Sequence, residues 1–458
     1  MTSTPSDRGF PADGLHPDCP DLSKLGPNRA EALLRAHAAR VEYDAEQRDK
    51  KWSKGFTRRR LLAGAGWAGV AAFGSQLVTT RVAYGEPSAD AKTVVIVFLR
   101  GGMDGMSVLV PGADPYLKEL RPNILVPESA LLPMARGFGL HPALAPLHDL
   151  WKSGKFSAVP ALSTPDVSRS HFQAQDCLER GGAATTSITT GWLDRVLAEL
   201  GPGTTFRAIA ESSTLPRALV GGEGAISLRG IESFALTGVD TMHEQTAKAL
   251  RTLYTGFEHP LATQAASTLG ALATAGEIND QEYEPAAEYP DNEFSRGLSD
   301  IARLIKSNAG LRVACVDIGG WDMHTGLGTI DNGDMLRMLT VLGSSLAAFA
   351  KDLGSALDRT TLVAMTEFGR RLEENASGGL DHGHGSVALL MGGGLKGGSI
   401  AGTWDGLAPE VRDHGDVPGS NDVRNLLGEL VSKRLGITTA GLSKIFPDHA
   451  YKPLGALA

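Results

Sequence analysis

Four short, almost wholly apolar runs, each stopped by glycine or a polar cluster, constrain this chain more than any other feature. They cover residues 93–99, 311–318, 361–365 and 386–391, with weaker examples at 156–160 and 206–209. A strand reads this way when both of its faces are buried and neither meets water. Between the runs, apolar residues recur at helical spacing over 143–151, 191–200, 246–255, 261–275, 294–307, 335–357 and 422–435. Strands alternating with helices predict an α/β three-layer sandwich, a largely parallel central sheet flanked by helices. The acidic, two-proline stretch 277–292 and the Gly/Pro/Asp-rich stretch 396–419 are expected as loops. No strong linker splits residues 86–458, which are expected as one domain with a candidate cap insertion at 193–289.

The first 85 residues read differently. Residues 1–56 are polar, and Thr57-Arg58-Arg59-Arg60-Leu61-Leu62 follows them with the form of a twin-arginine export signal. Residues 61–78 are apolar but diluted by Gly64, Gly66, Gly69 and Gly74, unlike a membrane anchor. Ala83-Tyr84-Gly85 then offers a small-x-small cleavage site. The order of charge, apolar stretch and cleavage site predicts export by the twin-arginine translocase, with residues 58–85 as the core signal. The expected location is periplasmic or extracellular, with no retained transmembrane helix if the signal is cleaved. The formal charge is −8 and the part after residue 85 is more acidic still, so nucleic acid is not an expected partner. Three cysteines make no disulfide scaffold; Cys177 and Cys315 either pair or stay as buried thiols.

Chemistry gathers just after the predicted strands. The first leads into Arg100-Gly101-Gly102-Met103-Asp104, the second into Gly319-Gly320-Trp321-Asp322-Met323-His324, and the third into Thr366-Glu367-Phe368-Gly369-Arg370. Open α/β sheets bind ligands outside the carboxyl ends of their strands, so Asp104, Asp322, His324 and Glu367 are expected at one edge. The densest cluster is Asp381-His382-Gly383-His384. In extended chain His382 and His384 face one way and Asp381 the other. Asp381 is then a ligand of a second ion or the partner that fixes an imidazole. This set of nitrogen and oxygen donors without thiolate suits one or two divalent ions, zinc or manganese first. In Ser168-Arg169-Ser170-His171, Ser170 at a helix start is a cap or a nucleophile. His171 is a further ligand or a general acid. Arg100, Arg169 and Arg370 either clamp an oxyanion or pair with site carboxylates.

Taken in order, the signal, FLRGGMDG, RSHF, GGWDMH, TEFGR and DHGHG resemble the exported family called domain of unknown function 1501, over roughly 94–398. That family resembles a branch of the alkaline phosphatase–sulfatase superfamily. The resemblance implies an alkaline-phosphatase-like fold, with Asp104 as first ligand and Ser170 in the nucleophile region. It makes Asp322 and His324 the middle pair, Glu367 the counterpart of an Asp, and His382 or His384 the last His. No Cys-x-Pro-x-Arg occurs, which argues against a formylglycine sulfatase. The expected function is metal-dependent hydrolysis of a small phosphate or sulfate ester. The alternative is a non-catalytic envelope protein that binds metal or oxyanion, or assists assembly, on the same fold.

Overall fold

The computed structural model describes residues 91–458 apart from 184–186, 235–246, 249, 251 and 253–259. The chain separates into Met1–Ser75 and Gln76–Ala458. The first unit, the export signal and most of the helix expected at 246–255 lie outside the described residues.

Eight strands build the main sheet: β1 (Thr93–Leu99), β2 (Phe156–Ser163), β3 (Ala208–Glu211), β4 (Ile226–Leu228), β5 (Val313–Ile318), β6 (Thr360–Met365), β7 (Ser386–Gly392) and β8 (Asn421–Asp422). Their order is β8-β2-β7-β6-β1-β5-β3-β4. Five neighbouring pairs are parallel, and only β7 runs antiparallel to both of its neighbours. The fold is therefore a mixed α/β sandwich with a largely parallel sheet, as the alternating pattern predicts. A separate three-stranded sheet joins 109–110, 132–133 and 139–140.

Each central strand serves two cores. Val94, Ile96 and Phe98 of β1 pack with helices α3 (Trp192–Leu200), α7 (Val423–Leu435) and α8 (Thr439–Ile445). Val95, Val97 and Leu99 pack on the other face with α1 (Ala145–Lys152), α5 (Glu293–Lys306) and α6 (Asp334–Leu353). Each such side chain contributes roughly 1.5–3 kcal/mol when fully buried. Helix α5 shows the sequence logic: Asn292 caps it by accepting from Ser295 N, and Phe294, Leu298, Ile301 and Ile305 form its buried stripe. Helix α6 ends at Leu353, short of the expected residue 357, because Gly354 turns into the left-handed region at φ 52°.

One loop expectation changes. Helix α4 (Pro260–Asp280) runs into the stretch expected as a loop from 277. The rest of that loop is held down, since Asp352 accepts from Tyr289 Oη (3.0 Å), Ala286 N (2.9 Å) and Lys306 Nζ (2.9 Å). The described part of 193–289 contributes α3, β3 and β4 to the main layers. Cys177 and Cys315 are free and buried; burial pushes the Cys177 thiol up to about 12. No helix among the described residues is long and apolar enough to cross a membrane.

Candidate metal centre

The carboxyl ends of β1, β5 and β6 lie on one edge, and β2 ends there too. Because β7 runs the opposite way, it starts at that edge, which brings 379–385 to the same place. Gly101 allows the loops to close: with φ at 122°, a Cβ there would stand 2.6 Å from Asp322 N.

At the centre, His382 Nε2 lies 3.0 Å from His171 Nε2 and 2.9 Å from His324 Nε2. Asp322 completes the group, with Oδ2 3.5 Å from His171 Nε2 and Oδ1 3.1 Å from His324 Nε2 and 3.4 Å from His382 Nε2. His171, Asp322 and His382 each present one ligand atom within 4.8 Å of the others. Buried Phe368 packs against His171 and His382, with ring centroids 4.7 and 4.8 Å away.

Every imidazole is held from behind. His171 Nδ1 donates to Glu367 Oε1 at 2.8 Å, His324 Nδ1 to Asp381 Oδ1 at 3.1 Å, and His382 Nδ1 to the Arg169 carbonyl at 2.8 Å. Carboxylates and carbonyls only accept, so each Nδ1 carries the proton. In the neutral rings, three Nε2 lone pairs then point at one another and at a carboxylate. A cation relieves that repulsion. A tetrahedral ion with Zn–N bonds of about 2.0–2.1 Å needs nitrogens roughly 3.3 Å apart, a few tenths more than here. Carboxylate or carbonyl behind each ligating histidine is the usual second support of such a centre. The residues present therefore fit a divalent ion.

The electrostatics agree. Burial opposes ionisation of Glu367, but hydrogen bonds from His171 and Gln175 outweigh it and hold the carboxyl at about 2. The same bond to Glu367 raises the His171 imidazolium against partial burial. Partial burial of Asp322 is likewise outweighed, here by Arg370, which donates to Oδ1 at 2.6 Å and lowers its pKa. Arg370 also donates to Gly102 O (2.6 Å) and Leu380 O (3.0 Å), stapling three loops together.

Of the residues expected at the site, the structure gathers Asp322, His324, His382 and His171, with Glu367 and Asp381 behind them. Three expectations are corrected. Asp104 does not join the group: it caps the short helix Gly105–Val108 and pairs with Arg121 through Oδ2–Nη1 (2.6 Å) and Oδ1–Nη2 (3.0 Å). His384 does not face the way His382 does, since its Nδ1 meets Asp413 Oδ2 at 2.6 Å and its Nε2 the Thr164 carbonyl at 3.3 Å. The reason is Gly383, where a Cβ would lie 2.4 Å from the Arg370 carbonyl carbon, so the chain crosses Arg370 too closely to continue as a regular strand. The arginines are spent on carboxylates rather than grouped as a clamp. Arg100 pairs with Glu179 (2.6 Å) and Asp317 (3.1 Å), Arg169 with Asp416 (2.5 Å), and Arg370 with Asp322. Ser170 sits at the N-cap of α2 (His171–Arg180), yet its side chain makes no capping hydrogen bond.

Sequence reasoning missed Gln175, Arg121, Asp413 and Asp416. Gln175 had a signal, since i and i+4 on a helix share a face with His171. Asp413 and Asp416 lie in the loop 396–419 and carry no periodicity. One test arises directly: Glu367→Gln is expected to weaken metal affinity about 10- to 100-fold, read by competition with a chelating dye, because it removes the carboxylate behind His171. An unchanged affinity would reduce Glu367 to a loop tie.

Among solved structures, the chain is similar to the zinc-complexed C-terminal periplasmic domain of EptC from Escherichia coli, at 13% identity, covering 80% of this chain and 89% of that one, TM-score 0.37. It is also similar to a putative sulfatase from Bacteroides thetaiotaomicron (11%, 79% and 76%, 0.30). A third is alkaline phosphatase from the Antarctic bacterium TAB5 (10%, 66% and 92%, 0.26). At these values they decide nothing about chemistry. No curated protein matches the chain. One family model does, over residues 150–433, a span from just before β2 to within α7 that carries all four residues of the central cluster, and by that match the chain belongs to the family described as "Protein of unknown function (DUF1501)".

Proposed function

We propose that the protein is a divalent-metal-dependent hydrolase of a small phosphate or sulfate ester, exported by the twin-arginine translocase to work in the periplasm or outside the cell. The observation that carries the metal is the convergence of three Nε2 lone pairs on Asp322, with every Nδ1 fixed from behind. The order of motifs supports the substrate class. A divalent ion, zinc or manganese, held by His171, Asp322, His382 and His324 would supply Lewis acidity toward an ester oxygen. The chain does the rest. Glu367, Asp381 and the Arg169 carbonyl hold the tautomers, and Arg370 keeps Asp322 ionised and aimed. Ser170 stands one residue from His171 with a hydroxyl not committed to the helix end, available to attack the ester.

One observation favours a second reading. Arg100, Arg169 and Arg370 are all paired, which leaves a binding or assembly protein of the envelope on the same fold. Zinc- or manganese-loaded full-length protein, offered phosphomonoesters, phosphodiesters and sulfate esters, separates the two. Turnover is expected, and Ser170→Ala is expected to lower kcat at least about 100-fold. Unchanged turnover in that variant would assign the attack to water. A silent panel beside saturable phosphate or sulfate binding would establish the second reading.

A further inference from the structure

The three imidazoles of the centre are not supported alike. His171 and His324 lean on carboxylate side chains, whereas His382 Nδ1 donates to a main-chain oxygen, the Arg169 carbonyl, at 2.8 Å. The direction of that support is set by the backbone of Arg169. Its φ is 56°, in the left-handed region, where a Cβ crowds the following carbonyl and glycine is the usual occupant. A long-chained residue stays there only when its surroundings hold it. The guanidinium is tied through Nη2 to Oδ2 of wholly buried Asp416 at 2.5 Å. Arg371 Nη1 stands 3.7 Å from the other oxygen, so among the described residues Arg169 gives this carboxylate its one hydrogen bond. A buried carboxylate does not release such a partner cheaply. On the other side of the turn, Ser168 Oγ accepts from Ser170 N at 3.1 Å and donates to buried Asp166 at 2.6 Å. Arg169 is thus clamped from both sides.

We propose that Arg169 is a positioning residue of the metal centre: its ion pair with Asp416 latches its backbone in the left-handed region, and that conformation aims its carbonyl at His382 Nδ1. This role rests on the metal centre of the hydrolase reading and deepens it. A relaxed Arg169, right-handed or extended, turns the peptide plane that follows it and carries the carbonyl off Nδ1. His382 is then free to take its proton on Nε2, the atom that must be bare to bind an ion. Asp416 acts on a ligand it does not touch, from 247 residues along the chain. The latch also sets Ser170, the next residue and the N-cap of α2, so the hydroxyl offered to the ester is placed by the same turn.

The test compares Arg169→Ala/Asp416→Asn with Arg169→Gly/Asp416→Asn in the full-length protein. Both lose the latch, and neither leaves a buried carboxylate unpaired. They differ by one Cβ, which only alanine must relieve by leaving the left-handed region. Imidazole nitrogen shifts of metal-free protein, read by NMR at about pH 8 where a free imidazole is neutral, report the tautomer. The His382 signal is assigned by its loss in His382→Ala. The unaltered protein and the glycine variant are expected to keep the proton on Nδ1, and the alanine variant to show it on Nε2. Cobalt(II) titration is expected to follow, with affinity about 10- to 100-fold weaker than native in the alanine variant. The glycine variant is expected to bind at least about 5-fold tighter than the alanine one, the factor that the left-handed cost of a Cβ corresponds to. An alanine variant with native tautomer and affinity overturns the proposal, and so does a glycine variant that falls as far as the alanine one. If the unaltered protein takes up no cobalt, the metal and hydrolase reading fails, and the tautomers alone decide the role of Arg169.

Discussion

Full-length protein carrying His382→Ala is expected to lose its metal, falling from about one equivalent to a small fraction of one by elemental analysis after gel filtration. His382 is the middle of the cluster, the imidazole that neighbours both others. Apparent binding energies of roughly 10–16 kcal/mol, shared by four ligands, allot about 3–4 to each, or two to three orders of magnitude in affinity. The fold should survive, because His382 is partly exposed and lies outside the two apolar cores. Full metal content in a well-folded variant would remove the metal centre and the hydrolase reading with it. In the unaltered protein, occupancy is expected to fall as pH is lowered, since protons compete for the same Nε2 atoms. The hydrogen bond to Glu367 raises the His171 imidazolium, so that ring begins to protonate above the range of free imidazole, near 6.5.

Arg121→Met is expected to lower stability by about 3–5 kcal/mol, the usual cost of leaving one member of a buried ion pair alone. Asp104 and Arg121 are 2% and 1% exposed and pair through both oxygens. Burial opposes ionisation of Asp104, but the charge and hydrogen bonds of Arg121 outweigh it and depress its pKa. A depressed carboxyl contributes stability above its unfolded pKa and loses it as pH falls through the folded one. Without Arg121, only the hydrogen bonds from Ser107 are left to oppose burial, so the pKa rises and the variant's deficit should shrink on acidification. Urea midpoints at pH 7 and about 4.5 check both signs. The double change Asp104→Asn/Arg121→Met should recover part of the loss; no recovery would mean that Arg121 matters through its bond to the Leu372 carbonyl instead.

The order of apolar runs was enough to place β1, β5, β6 and β7 within about two residues, because a strand buried on both faces tolerates almost nothing polar. It was also enough to send Asp322, His324 and Glu367 to one edge, since each follows a parallel strand. The list of residue types in the site, imidazole and carboxylate without thiolate, was legible in the same way. Which member of each pair joins the centre was not. His382 and His384 look alike in sequence, yet Gly383 crosses Arg370 so closely that one ring turns to His171 and the other to Asp413. Asp104 looks like a ligand until Arg121, 17 residues on and just past the end of a short helix, takes both of its oxygens. The direction of β7 was silent too, and it alone brings the DHGHG segment to the carboxyl edge. Burial pattern is a property of each strand by itself, and so is written along the chain. The partner of a charge and the direction of a strand are settled only between distant segments, where desolvation and packing choose among residues that are chemically equivalent.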